Sequence, residues 1–307
     1  MLDVRKLRML YTLERVGTIA AVAAELHLTA PGISMQLSAL ERELGVALTE
    51  RRGRRLALTP AGRVLTAHGR DILDRLALAE MEVDAIRGGR VGNYRVAAFP
   101  SAARTLVSDA WSAIRADQAG VELTLTTPEP ETALALLVAG ETDLALVHSY
   151  SNVPRDLPDG VEAELLATEP IWLAIRSDDP HADEEVDLAD LARHPWITPE
   201  RNLTCFEMTD RACGLAGFRP AIVAETMDFD VQLELVRAGA GVALVPQLTV
   251  AALPPEVMLA RPRQKIERHI VAARRTTMQA DPGLDTLVHA FRRAAGARLR
   301  LNTTGSL

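Results

Sequence analysis

The sequence predicts a multidomain chain: an all-α winged helix-turn-helix with a long linker helix, followed by an α/β domain of two lobes. Three observations predict it. Residues 1–58 carry apolar stripes at helical spacing and close on an arginine-rich stretch. Residues 59–90 carry apolar residues at intervals of 4 and 3. Beyond residue 93, strand-like and helical segments alternate. At 307 residues the chain is too long for one ordinary core, and 48% hydrophobic with 24% charged residues is the composition of a globular protein. Asp3, Arg5 and Lys6 stand where an apolar leader would begin, and no later stretch approaches the ~20 apolar residues of a membrane span. A cytoplasmic protein without a membrane partner is expected.

The elements follow in order. Leu7, Leu10, Tyr11 and Leu13 form a helical stripe that breaks at Gly17. Thr18 is placed to cap a second helix over 19–26, and His27-Leu28 makes a tight turn. Thr29 caps a third helix with Pro31 in its first turn; Ile33, Leu37, Leu40 and Leu44 supply its buried face, and Gly45 ends it. Two helices joined so closely form a helix-turn-helix. Arg51, Arg52, Arg54 and Arg55 with the apolar 56–58 suit a short hairpin or wing. Thr59-Pro60 starts a long helix to about Ile86, where Ile72, Leu76, Ala79, Val83 and Ile86 repeat the seam of a coiled coil, and Gly88, Gly89 and Gly92 mark a hinge.

From there the reading is strand 94–99, helix 102–118, strand 121–126, helix 131–139 and strand 143–147. Residues 161–175 are strand-like and crossed at Thr168-Glu169-Pro170. A second unit has strand 196–197, helix 205–216, strand 221–225, helix 229–238 and strand 242–245, before strand 268–273 and helix 282–298. The alternation implies a parallel sheet covered on both faces, divided into two lobes with crossovers near 167–170 and 262–268. The expected division is 1–58, 59–90 and 91–300, the last as lobe I (91–166 and 267–300) and lobe II (167–266). Small ligands bind between such lobes.

Charge is unevenly spread. Residues 1–90 hold 14 Lys and Arg against 11 Asp and Glu, whereas the remainder holds 20 against 30, which together give the net −7. A local basic cluster on an acidic protein can hold phosphates without making the whole chain adhesive.

The run Ala23-Ala24-Glu25-Leu26-His27-Leu28-Thr29-Ala30-Pro31-Gly32-Ile33-Ser34 is similar to the helix-turn-helix signature of LysR-type transcriptional regulators. The likeness continues through Gln36, Leu40-Glu41, Glu43–Val46, Leu48, Glu50-Arg51 and Leu58–Gly62. Gly140–Leu146 and Gly239–Pro246 resemble two recurring stretches of that family's effector domain. The resemblance implies a homodimer or homotetramer on double-stranded promoter DNA, a periplasmic-binding-protein-like effector domain, and a small effector in the interlobe cleft. No cofactor is implied. The sequence departs from the pattern at Ala30, where the family commonly has Gln, at Met35, where a basic residue is frequent, and at Thr49, where Phe is common. Ala and Met offer bases only apolar contact, so direct readout is expected to be thin. Thr49 is expected to loosen the packing under the wing.

Ser34 and Gln36 are candidates for base edges, beside Ala30, Pro31 and Met35; Thr18, Thr29, Ser38 and the four arginines are candidates for phosphates. N-capping alone is the plain alternative for Thr18 and Thr29, although a cap and a phosphate contact can coexist at a helix N-terminus, and a solvated face is the plain alternative for the arginines. In the second domain Pro100-Ser101, between a strand and a helix, forms an anion site suited to a carboxylate, with simple N-capping as the alternative. Phe99, His148, Ser149, Thr198, Phe206, Met227 and Asp228 fall at points expected to line the same cleft. Cys205 and Cys213 occupy a region where peroxide-sensing members of the family carry a redox pair. Eight residues on one helix put them ~12 Å apart, beyond disulfide reach without unwinding. Arg201, Arg211 and a helix N-terminus are expected to favour a Cys205 thiolate if that reading holds. The seven histidines are scattered with no paired ligand spacing, and neither a metal site nor a catalytic motif is read. The rival class is a two-lobe solute-binding module or enzyme whose N-terminal helices only dimerise it.

Overall fold

The computed structural model describes residues 2–52, 55–88, 92–117, 120–250 and 253–304. It divides into two compact units, residues 1–92 with 275–281, and residues 93–274 with 282–307.

The first unit begins with α1 (Val4–Val16), α2 (Ile19–Glu25) and α3 (Ala30–Leu44). Asp3, Thr18 and Thr29 cap them by accepting hydrogen bonds from the backbone N–H of Arg5, Ala21 and Gly32. His27 turns the chain between α2 and α3 in the left-handed region, φ 53°. Leu10, Leu13, Val22, Ile33, Leu37 and Leu40 meet in one core. Leu44 is a correction: placed in that buried face by its spacing, it is exposed, in the last turn of α3 just before the Gly45 cap.

The wing is the antiparallel pair β1 (Thr49–Arg52) and β2 (Arg55–Leu58), in register from Thr49–Leu58 to Arg52–Arg55. Helix α4 (Pro60–Gly88) follows, with Thr59 Oγ1 accepting from the Gly62 N–H at 3.0 Å. Gly62 allows the start of α4 to touch the chain entering β1: a Cβ there would stand 2.1 Å from the Leu48 carbonyl oxygen. The first half of α4 packs on α1, and further along Ile72, Leu76 and Val83 are exposed. The side chain of Ile86 and the hinge residue Gly89 lie outside the described residues.

In the second unit, β3 (Gly92–Ala98) leads through Phe99 into α5 (Pro100–Ala102), a π-helical turn (Ala103–Val107) and α6 (Ser108–Ala116). The expected single helix over 102–118 is therefore interrupted. Then come β4 (Val121–Thr126), α7 (Pro130–Val138), β5 (Leu144–Tyr150), β6 (Val161–Arg176), β7 (Glu185–Val186), β8 (Pro195–Thr198), α8 (Thr204–Leu215) and β9 (Ala221–Glu225). The chain closes with α9 (Phe229–Arg237), β10 (Ala243–Pro246), β11 (Val257–Pro262), β12 (Glu267–Arg275) and α10 (Pro282–Thr304).

The hydrogen-bonded order is β4-β3-β5-β12-β6-β11-β7, with β10 on β6 and a separate parallel pair β8-β9. The expectation of a parallel sheet is corrected to a mixed one. β3 and β5 are parallel, but β12 runs antiparallel to β5, and β10 and β11 antiparallel to β6. The reason is topological, since β6 and β12 carry the chain out of one half and back. β6 also runs unbroken through Thr168-Glu169-Pro170, so that crossover lies inside a strand. Separate buried clusters fill the two halves, Ala97, Leu137 and Val147 in one, Trp196, Leu173 and Leu244 in the other. Gly241 lets β10 approach β8, where a Cβ would meet the Pro195 carbonyl oxygen at 2.4 Å. Thr142 and Asp143 pin β5 to β3 through the Arg95 backbone and guanidinium. These interactions explain much of the Gly140–Leu146 and Gly239–Pro246 stretches as packing.

Candidate functional site

In α3 the buried side is Ile33, Leu37 and Leu40, which turns Pro31, Ser34, Met35 and Ser38 outward along one exposed face. Met35, a large apolar side chain, is 61% exposed there. Gln36 does not share that face; two residues past Ser34, it lies on the flank and is half-buried. Ala30 is likewise half-buried, packed against the core at the first turn. Thr29 is exposed, its hydroxyl already serving as the cap. The wing reaches the same unit at a second point: the Leu56 N–H donates to the Gly17 carbonyl at 3.0 Å. Arg55 therefore stands beside the α2 N-terminus that Thr18 caps. Arg51 and Arg55 are exposed. Arg54 and the side chain of Arg52 lie outside the described residues.

The wing is tied to α3 by one carboxylate. Glu41 Oε1 accepts from the backbone N–H of Leu48 and Thr49, both 2.9 Å, and from the Thr49 hydroxyl at 3.0 Å. The expected loosening at Thr49 is corrected: its hydroxyl supplies a donor to the joint that an aromatic ring would lack.

In the second unit a cleft of about 350 Å³ is lined by Pro100, Ser101, Arg104, Met227, Asp228 and Thr249, among others. A smaller cavity beside it reaches Phe99, Glu129, His148, Cys205 and Arg268. Arg268 is 1% exposed; its Nε donates to Glu169 Oε1 at 2.6 Å, Nη2 donates to Ser101 Oγ at 3.2 Å, and the guanidinium lies 5.1 Å from the Phe99 ring centre. The second oxygen of Glu169 accepts from the Leu248 N–H at 2.6 Å. His148 stands edge-on to Phe99 and Tyr150. Burial, then the charges of Arg268 and Arg155, hold its pKa well below the usual histidine value. Two clasps join the halves across the cleft. Arg104 donates to Asp230 and the Thr249 carbonyl, both 2.6 Å; Arg155 and Thr204 both donate to Glu131 at 2.7 Å.

Of the residues singled out in sequence, Phe99, Pro100, Ser101, His148, Met227 and Asp228 come together here. Asp228 also caps α9 through the N–H groups of Asp230 and Val231. Ser149 does not join them, because strand alternation turns it to the face opposite His148 and Tyr150. Thr198 is wholly buried in β8, and Phe206 sits under Arg201; neither lines these cavities. Sequence reasoning missed Arg104, Glu169 and Arg268 as residues of the site. A charged residue in a strand whose neighbours on one face are Ile270 and Ala272 was the available signal for Arg268.

Residues 4–63 match the bacterial regulatory helix-turn-helix protein, lysR family, and residues 87–296 match the LysR substrate binding domain. The chain belongs to the LysR family. It is a LysR-type transcriptional regulator, a DNA-binding helix-turn-helix followed by an effector-binding domain. Among its relatives, the transcriptional dual regulator GltC of Bacillus subtilis is 30% identical over 73% of both chains. The regulator ShiR of Corynebacterium glutamicum is 32% identical over 78% of this chain and 83% of its own. A full-length OxyR variant from Pseudomonas aeruginosa shares the fold with a TM-score of 0.76, at 19% identity over 97% of both chains. CbnR complexed with its target DNA superposes with a TM-score of 0.57, at 28% identity over 96% of this chain and all of the other. The N-terminal helices of this LysR protein are thus a DNA-binding unit, which displaces the reading of them as a bare dimerisation segment. Among the described residues no helix is long and apolar enough to cross a membrane.

Both cysteines of this LysR protein are buried on α8 as free thiols. Burial pushes Cys205 up to about 11 and Cys213 up to about 12. Arg201 and Arg211 do not give the expected help: they pair with Glu225 and Glu207, while Cys205 Sγ meets the Tyr150 hydroxyl at 3.0 Å. Desolvation outweighs the helix N-terminus, so the thiol form is favoured. The histidines also need correction, since the fold brings His181 and His194 together on Asp179.

Proposed function

We propose that this regulator reads promoter DNA with Ser34, Met35, Pro31 and Ser38 of α3, and that Arg51, Arg55 and the α2 N-terminus at Thr18 hold phosphates. The exposed α3 face supports this, as does Arg55 beside the Thr18 cap. Thr29 serves chiefly as a cap, and Gln36 and Ala30 serve packing. Two such units pair through the exposed stripe of α4, as a homodimer or within a homotetramer, in the cytoplasm where its DNA lies. The chain divides functionally as 1–58, 59–90 and 91–300, with crossovers supported by β6 and by the β11–β12 connection.

The effector is a small carboxylate-bearing molecule seated between Ser101, Arg104 and the start of α9. The single observation that carries this is the cleft of about 350 Å³, where Ser101 touches a buried arginine and Arg104 bridges the mouth. A carboxylate competes with Asp230 for Arg104, and so acts on the ion pair that joins the two halves. The test is a thermal-shift panel of small mono- and dicarboxylates against matched amides. At least one acid is expected to raise Tm, with the shift reduced in Arg104→Gln. A panel in which acids and amides behave alike, or a shift untouched by Arg104→Gln, sinks the assignment.

A further inference from the structure

Away from DNA and cleft, the turn after β6 carries Asp179 and His181, and His194 immediately precedes β8. Their ligand atoms all lie within 4.8 Å of one another. The turn is built for this approach. The Asp179 N–H donates to the Arg176 carbonyl at 3.1 Å, the His181 N–H donates to Asp179 Oδ1 at 2.8 Å, and the His194 N–H donates to the Leu191 carbonyl at 3.0 Å. These bonds aim Asp179 at two imidazoles from separate segments of the same unit. Asp179 and His194 are largely covered, while His181 is open to solvent.

We propose that Asp179, His181 and His194 form a binding site for a first-row divalent transition cation, with Zn²⁺ as its test ion. His181 Nδ1 stands 3.2 Å from Asp179 Oδ1, and His194 Nε2 stands 3.3 Å from Oδ2. Charge-assisted hydrogen bonds close to about 2.7–2.9 Å. Neighbouring ligands on a tetrahedral ion with bonds of about 2.0 Å are separated by about 3.3 Å. The two Asp179–imidazole separations, one to each carboxylate oxygen, lie near that value while also serving as hydrogen bonds, and the three ligand groups all fall within 4.8 Å, already grouped on the scale of one ion. The imidazole planes are perpendicular, 87° apart at 4.9 Å between centres, so the two rings converge without stacking. Two imidazoles and one carboxylate select Zn²⁺ and its neighbours over Mg²⁺ and Ca²⁺, which take oxygen ligands. Asp183, Glu184 and Glu185 follow directly and add to the attraction for a cation. Three protein ligands leave a fourth position for water, and the ion would tie the β6–β7 turn to the start of β8.

The test uses the full chain, stripped with a chelator and titrated with ZnCl₂ by calorimetry, with Co²⁺ absorption as a second readout of coordination. His181→Gln is the decisive variant because its open ring carries little of the fold; His194→Gln extends it. The expected result is one ion per chain, bound at least about tenfold more weakly after His181→Gln, and unchanged after His68→Gln on the exposed side of α4. No stoichiometric uptake by the native sequence would overturn the site. So would equal affinity in the His181→Gln protein, which would put the ion elsewhere.

Discussion

At Arg268 one side chain holds together the floor of the cleft, because its charge is shared among Glu169, Ser101 and the face of Phe99. A buried ion pair adds little net stability, but half of one is expensive. Arg268→Met is expected to cost about 3–5 kcal/mol in urea unfolding, and adding Glu169→Gln to recover much of the loss. Equal stability of the single and double variants would show that Glu169 does not need its partner. His148 gives the site a pH signature. Its folded pKa is depressed below that of the unfolded chain, so the unfolded state binds the proton first as pH falls. Its contribution is complete above about pH 6.5 and is lost progressively below that. Glu129 and Glu169, whose pKa values burial raises, act in the opposite sense, so the readout is a difference between proteins. On going from about pH 7 to about pH 5, His148→Gln is expected to lose less stability than the native sequence. Parallel pH profiles would contradict this.

At the scale of elements, α4 does two jobs along its length. Its first half is committed to α1, with Leu7 packed over Gly69, whereas Ile72, Leu76 and Val83 remain exposed. A stripe spaced like a coiled-coil seam and left open in one chain is where a second copy would pack. Leu76→Glu should shift the protein toward monomer in sedimentation velocity without changing its helical circular dichroism. An unaltered oligomer would move the interface elsewhere. α3 makes a similar division: its inward side is ordinary core, and its outward side carries Met35 where a basic residue is common in LysR proteins. An apolar tip can meet a thymine methyl but cannot read guanine.

At the scale of the molecule, DNA affinity must come from a basic N-terminal segment on a chain of net charge −7. On the proposed reading of α3, phosphates carry more of the binding, and salt dependence measures them. Arg51→Ala with Arg55→Ala is expected to reduce the log K against log salt slope by about 1 for each phosphate no longer neutralised, similarly on all sequences, in fluorescence anisotropy titrations. An unchanged slope would remove the wing from the interface.

The sequence by itself determined the helix-turn-helix, its caps, the wing and most of the strand–helix alternation. These rest on signals local in the chain: a Thr before a helix, Gly45 after one, apolar residues at fixed spacing. It also located Ser101, because a strand end followed by a helix start is a local feature; His148, expected just after a strand, instead lies inside β5, which runs on to Tyr150. Tertiary structure alone decided the strand directions, since pairing β12 with β5 joins residues more than a hundred positions apart. It alone decided that Thr49 answers Glu41, that Cys205 is a covered thiol, and that Asp179, His181 and His194 meet. It also placed Glu169 and Arg268 under the cleft. Burial and partnership are properties of neighbours in space, and periodicity along a chain carries no record of them.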